Sequence, residues 1–283
     1  MVPSLGLIDQ VWGFSALASR SQYRSGEAFA AGLMIFTPSD LTRSYPLAGD
    51  RPYASEFFMS YGNRYVSLAS AVVYDSSLTF GILGLSWAAS VQNGLHDVTG
   101  STRPEGWSHQ ISDGGEPTVR YSLARQSLLL QRSSLDAKWT LAGMVGTVTE
   151  ASVALDVRYG RIASPWWAFT PAENTYVQET TPAAPPIMRG AGPEVFALLG
   201  GRVKARAYNA FLQGQFRNTD YRLSNDQVNH VLGEAWAGVE FRTTGDWEFR
   251  YLARWESPEI RSGRGSRSIT SGSFEIAKSF GAP

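Results

Sequence analysis

The chain contains no cysteine and only three histidines in 283 residues. Without cysteine there is no disulfide framework, no thiol nucleophile and no thiolate metal site. No run approaches the roughly 18 apolar residues that a membrane-spanning helix requires. No basic segment followed by an apolar stretch opens the chain, so no signal peptide is visible. Charge of one sign is not in excess either: 25 basic residues balance 25 acidic ones. That argues against a nucleic-acid partner, which would call for a basic surplus. Charged residues make up only 18% of the chain, below the usual quarter, whereas aromatics reach 12% with nine tryptophans. Scarce charge with abundant Trp and Tyr suits a protein whose outer surface meets lipid.

Period-2 alternation runs through most of the sequence and points to β-strands. In 246–256, Trp247, Phe249, Tyr251, Ala253 and Trp255 share one face, while Glu248, Arg250, Leu252, Arg254 and Glu256 share the other. In 151–160, Ala151, Val153, Leu155, Val157 and Tyr159 oppose Ser152, Asp156 and Arg158. Arg202, Lys204 and Arg206 alternate with Val203, Ala205 and Ala207, and the last strand places Phe274, Ile276 and Phe280 on one face. One such strand fits a soluble sandwich as well as a barrel. Several of about ten residues, joined by alternating short and long links, fit an outer-membrane barrel with apolar residues outward and charged ones in the lumen. The short links are expected at Asp75–Ser77, Arg132–Asp136 and Thr243–Asp246, and long ones at 162–192, 217–228 and 257–266. The 162–192 stretch, with Trp166, Trp167, Pro182, Pro185 and Pro186, reads as an extended surface loop.

The predicted strands are 6–19, 26–37, 53–68, 71–83, 117–132, 136–147, 149–161, 193–209, 228–242, 246–256 and 267–280, all in one domain spanning 1–283. That makes eleven. Single-chain bacterial barrels use an even number, so a miscounted strand or an absent first strand is expected, and the missing signal peptide favours the latter.

One segment breaks the β pattern. Between Gly81 and Gln110 runs GILGLSWAASVQNGLHDVTGSTRPEGWSHQ: a Gly-x-x-Gly step, a short helical piece and a closing Pro-Glu-Gly-Trp turn. Residues four apart project from one helix face, so Gln92 and His96 can address one target. Imidazole is suited to general-base work near neutrality. A lone surface histidine is more often merely solvated; the helical setting and the spacing raise its standing. His109 and His230 lack motif context and read as ordinary polar residues.

Several blocks in order resemble the outer-membrane lipid A 3′-O-deacylases, the LpxR family: GLMIFTPSD (Gly32–Asp40), DRPYA (Asp50–Ala54), the GILG…VQNGLH…EGWSHQI region, VFALLGGRVKARAYNAFLQG (195–214) and the closing 236–280. The resemblance begins near residue 9. It implies a twelve-stranded barrel, of which about eleven strands are visible, with the active site near the extracellular mouth between the wall and the helical insert. The implied activity is a carboxylic ester hydrolase acting with Ca²⁺ on the 3′-acyloxyacyl chain of lipid A in the outer leaflet. In that reading His96 activates water, Gln92 is its polar partner one turn earlier, Arg43 lies near the substrate, and the ion stabilises the oxyanion. The chain would be a monomer in the outer membrane, with lipopolysaccharide as substrate and membrane lipid around it.

The chain departs from the family near its start. The family's first strand ends in Asn-Asp near the metal, and its second opens with Asp-x-x-Tyr-Thr-x-Gly. Here Asp9–Gly13 (DQVWG) occupies the second position, with Val11 where a hydroxyl belongs. A second register sets Asp9-Gln10 onto Asn-Asp but leaves no room for the following hairpin. Asp9 is thus a candidate metal ligand only, the metal site is otherwise unassigned, and the activity of the chain as written is open. The alternatives are a passive porin-like barrel lined by Arg202, Lys204, Arg206, Arg250 and Arg254, or a catalytically inactive homologue. The Gln92/His96 insert has no role in a pore.

Overall fold

The computed structural model describes residues 23–67, 70–169, 171, 192–217, 219–245 and 247–278. Ten strands run through them: β1 (Tyr23–Phe36), β2 (Ala54–Ser67), β3 (Val72–Leu83), β4 (Glu116–Gln131), β5 (Leu135–Gly146), β6 (Val148–Arg161), β7 (Glu194–Asn209), β8 (Val231–Arg242), β9 (Trp247–Glu256) and β10 (Ile269–Lys278). Each pairs antiparallel with its neighbours in chain order, giving one sheet from β1 to β10 with no crossover. The strands are 10 to 16 residues long, enough to cross a hydrocarbon layer that takes about 9–11 tilted residues. These ten fall where alternation places them. The expected strand 6–19 lies outside the described residues.

The alternation separates two environments. Outward positions such as Phe29, Phe80, Val153, Tyr159, Tyr251 and Phe274 are exposed, as an apolar lipid-facing surface requires. Inward positions carry charge, and the charges are paired. Arg64 Nε lies 2.6 Å from Asp75, whose other oxygen accepts from Gln126 at 2.6 Å. Arg158 grips Asp136 through Nε at 3.0 Å and Nη2 at 2.7 Å. Glu234 gathers Arg202, Lys204 and Arg254, and Arg206 bridges Glu150 and Glu259. A charge removed from water is tolerated only with such partners.

Two expectations about links need correction. Asp75–Ser77 is not a turn but the middle of β3, paired with Arg64–Gly62 on β2 and Ala124–Ser122 on β4. Its turn-like Asp-Ser-Ser composition arises because Asp75 and Ser77 are buried on the polar lumen face. The link between the two strands falls after Ser67, where β2 ends, and before Val72, where β3 begins. The 162–192 stretch is not wholly a surface loop either. Its first part turns into the barrel, with Trp166 packed against Val66 and Val73, and Phe169 packed against Phe196 and Trp236. Its backbone carbonyls cap lumen cations: Arg64 donates to Trp167 O at 3.2 Å, Arg158 to Ser164 O at 2.7 Å, Arg254 to Pro171 O at 2.6 Å, and Lys138 to Phe169 O.

Strand direction sorts the connections. Links 37–53, 84–115, 147, 210–230 and 257–268 lie at one end, and 68–71, 132–134, 162–193 and 243–246 at the other. Long loops mark the extracellular end of such barrels; most of the links at the first end are long, and of those at the other only 162–193 is. The 84–115 insert therefore sits at the extracellular rim, and the inward-turned start of 162–193 lies at the opposite end.

Candidate active site

The insert is pinned to the wall at both ends. Gly84 N–H donates to Ser55 O at 2.7 Å, and Gly115 N–H returns to Gly84 O at 3.1 Å. Gly84 sits at φ 79° directly against the backbone of Ile111 and Ser112; a Cβ there would run into the Ser112 carbonyl, so only glycine fits.

Helix α1 (Trp87–Thr99) follows. It stops at Gly100, whose φ of 67° is left-handed and whose N–H, like that of Ser101 at 2.9 Å, returns to His96 O. That is the usual glycine exit from a helix. The returning chain is clipped by Asp97, which receives Arg103 Nε and Nη2, each at 2.6 Å. The Arg103 guanidinium holds the Asp97 carboxyl below its ordinary value.

One face of α1 seats on the outside of the wall. Ala88 is fully buried in a cluster with Tyr53 and Trp107, and Leu33 and Ile35 of β1 pack against it. The Tyr53 and Trp107 rings lie 5.0 Å apart, and burial pushes the Tyr53 phenol above its ordinary value. Gln92 and His96 continue the Ala88 face and are half-buried. Trp107 Nε1 donates to Gln92 Oε1 at 3.0 Å. His96 Nδ1 meets the carbonyl oxygen of Thr102. A carbonyl only accepts, so Nδ1 carries a proton, and the tautomer this selects for a neutral imidazole has its lone pair on Nε2. By the same reasoning the indole, a donor only, takes the amide oxygen of Gln92 and leaves its NH₂ with two donors to offer.

The model for Outer membrane protein LpxR matches residues 6–280. The chain belongs to the LpxR family. Its fold is also similar to that of LpxR from Salmonella typhimurium, with a TM-score of 0.71 at 14% identity, over 95% of this chain and 94% of that one. This LpxR-family chain is therefore an outer-membrane protein with an antiparallel β-barrel fold. The crystal structure of the β domain of the Bordetella autotransporter BrkA is also matched, with a TM-score of 0.37 and 11% identity over 90% of this chain and 97% of that one. Among curated proteins, none matches.

Within the LpxR-family frame the predicted residues divide. Gln92 and His96 share the wall-facing side of α1 as expected. Arg43 turns its guanidinium to Asp40 at 3.4 Å and the Tyr45 hydroxyl at 2.9 Å. Its link to the insert is through the backbone: Arg43 O lies where any side chain at Gly106 would press, and Glu105 N–H donates to Leu41 O at 2.9 Å. Asp9 lies outside the described residues. His109 pairs with Asp220 at 2.7 Å, and His230 is held between Arg206 O and Asn225 O.

The DRPYA block joins the extracellular loops. Asp50 accepts from Ser39 N–H at 3.0 Å, Arg51 reaches Glu259 at 2.6 Å, and Tyr53 supports Trp107. Trp107, Tyr53 and the Thr102 carbonyl were not singled out from sequence. Only the position of Trp107 in EGWSHQI hinted at its part. Among the described residues no three His, Asp or Glu side chains cluster as a metal site would need. A Ca²⁺ ion takes six to eight oxygens, and around the Gln92/His96 pair the unpartnered buried side-chain oxygens are Asn93 Oδ1 and Tyr53 Oη. The described residues alone do not assemble a cage for it.

Proposed function

We propose that this protein hydrolyses the 3′-linked acyloxyacyl ester of lipid A in the outer leaflet. The reading is supported above all by His96, whose Nδ1 is committed to the Thr102 carbonyl, leaving Nε2 as a base on the face that meets the barrel wall. Nε2 takes a proton from water while that oxygen attacks the ester carbonyl. The imidazolium then returns the proton to the departing sugar oxygen, so the acyl group leaves as the acid and the imidazole is restored. The Gln92 amide, with its oxygen held by Trp107, directs its N–H donors toward the developing oxyanion, where fixed donors count most.

The family resemblance favours Ca²⁺ as cofactor, with ligands in part from residues outside those described, Asp9 among them. When bound, a hard cation would add charge stabilisation at the carbonyl. Arg43, restrained by Asp40 and Tyr45 at the loop edge, would meet the anionic sugar headgroup. The protein would act as a monomer on lipopolysaccharide.

The porin-like alternative loses its main support, since Arg202, Lys204, Arg206, Arg250 and Arg254 are all ion-paired. Lipid A mass spectra of cells expressing the protein test the proposal: loss of the 3′ acyloxyacyl mass is expected, and an unaltered spectrum from a folded, membrane-inserted protein would overturn it.

A further inference from the structure

The outer flank of α1 has a composition that the chemistry of the inner face does not explain. Trp87, Val91, Leu95 and Val98 are 43%, 47%, 62% and 87% exposed. At 100° per residue they fall within an arc of roughly 80°. The arc beside it holds Ala88, Gln92 and His96 against the wall. Ser90 and Asp97 lie on the opposite flank, where Asp97 is paired with Arg103. The helix thus has three sides: one on protein, one apolar and exposed, one polar and exposed.

The apolar side does not stand alone. The Trp87 ring lies 6.3 Å from that of Phe57, which points outward from β2 and pairs across the sheet with Ile82. Ile82 is itself exposed on the outer surface of β3. The stripe therefore continues the lipid-facing band of the barrel around the insert. We infer that α1 lies in the plane of the membrane, its Trp87–Val98 flank seated in the acyl chains of the outer leaflet and its Ser90–Asp97 flank in the headgroup layer. A helix with one apolar and one polar flank and low net charge occupies such a boundary, and a tryptophan at its start suits the interfacial level. The surface belongs to bilayer hydrocarbon rather than to a second protein copy. The inference stands whether or not the chain hydrolyses an ester.

The absence of cysteine makes the test direct. Single substitutions Leu95→Cys, Val98→Cys and Ser90→Cys, with Phe80→Cys as a barrel-band reference, are nitroxide-labelled in the full-length protein reconstituted in phosphatidylcholine vesicles. Folding is checked by heat-modifiable gel migration. The ratio of oxygen to nickel-chelate accessibility should rise at 95 and 98 to the value at 80, and should be reversed at 90. Ratios at 95 and 98 equal to that at 90 would overturn the inference. So would spin–spin broadening at 95 or 98, which would show a second copy covering the stripe. If Leu95→Cys misfolds, Val98→Cys, at the most exposed position, decides alone.

Discussion

Trp107 and Gln92 are joined by one hydrogen bond, indole N–H to amide oxygen, at 3.0 Å. It links the Pro-Glu-Gly-Trp turn to α1 and orients the amide. Replacing Trp107 by Phe keeps an aromatic ring on Tyr53 and removes the donor. The lost bond is worth about 0.5–1.5 kcal/mol, so kcat should fall by up to about tenfold with KM little changed. A rate equal to the parent's would show that the amide needs no orienting.

His96→Ala removes the proposed base without touching the buried Ala88 cluster. General-base assistance contributes about 10²–10⁴-fold, and a loss in that range is expected in lipid A deacylation, with heat-modifiable migration unchanged. Retention of the parent's lipid A spectrum would exclude His96 as the base.

Glu234 holds three cations, Arg202, Lys204 and Arg254. Glu234→Ala removes the carboxylate that the three share, and breaking a buried pair costs about 3–5 kcal/mol. The unfolding midpoint in urea should fall clearly, whereas substitution of an exposed carboxylate such as Asp220 should move it little.

The clip between Asp97 and Arg103 should respond to acid. The Asp97 carboxyl is lowered from 3.8 by Arg103, so the folded form binds its proton less readily than the unfolded one. Its contribution is complete above the ordinary carboxylate value and is lost as pH falls through the lower folded value. A nitroxide at Ser101→Cys should gain mobility on acidification below that range, and Asp97→Asn should show the mobile spectrum at every pH. An acid transition surviving in Asp97→Asn would assign it elsewhere.

Much of the barrel was legible because each strand faces two opposed media, and that imposes strict alternation. Residues 149–161 were expected and Val148–Arg161 observed; likewise 246–256 against Trp247–Glu256. The same cause produced the error at Asp75–Ser77, since a polar lumen lets turn-like residues lie within a strand. The Gln92/His96 face was legible from spacing. The contacts that orient the pair were not: Trp107 is distant in sequence, and the Thr102 oxygen belongs to the backbone, which leaves no signature in residue type. Backbone carbonyls likewise receive the lumen cations from 162–171, so two tryptophans and several prolines looked like a surface loop.

The inward turn that begins at 162 bears on how the lumen is held. Trp166 and Phe169 pack at the base, and Arg64, Lys138, Arg158 and Arg254 each bond to carbonyls of the same segment, so one stretch of backbone serves four cations from four different strands. The segment thus acts as a prop across the lumen: drawing it out would strand four cations at once, so the base of the barrel and its polar interior stand or fall together.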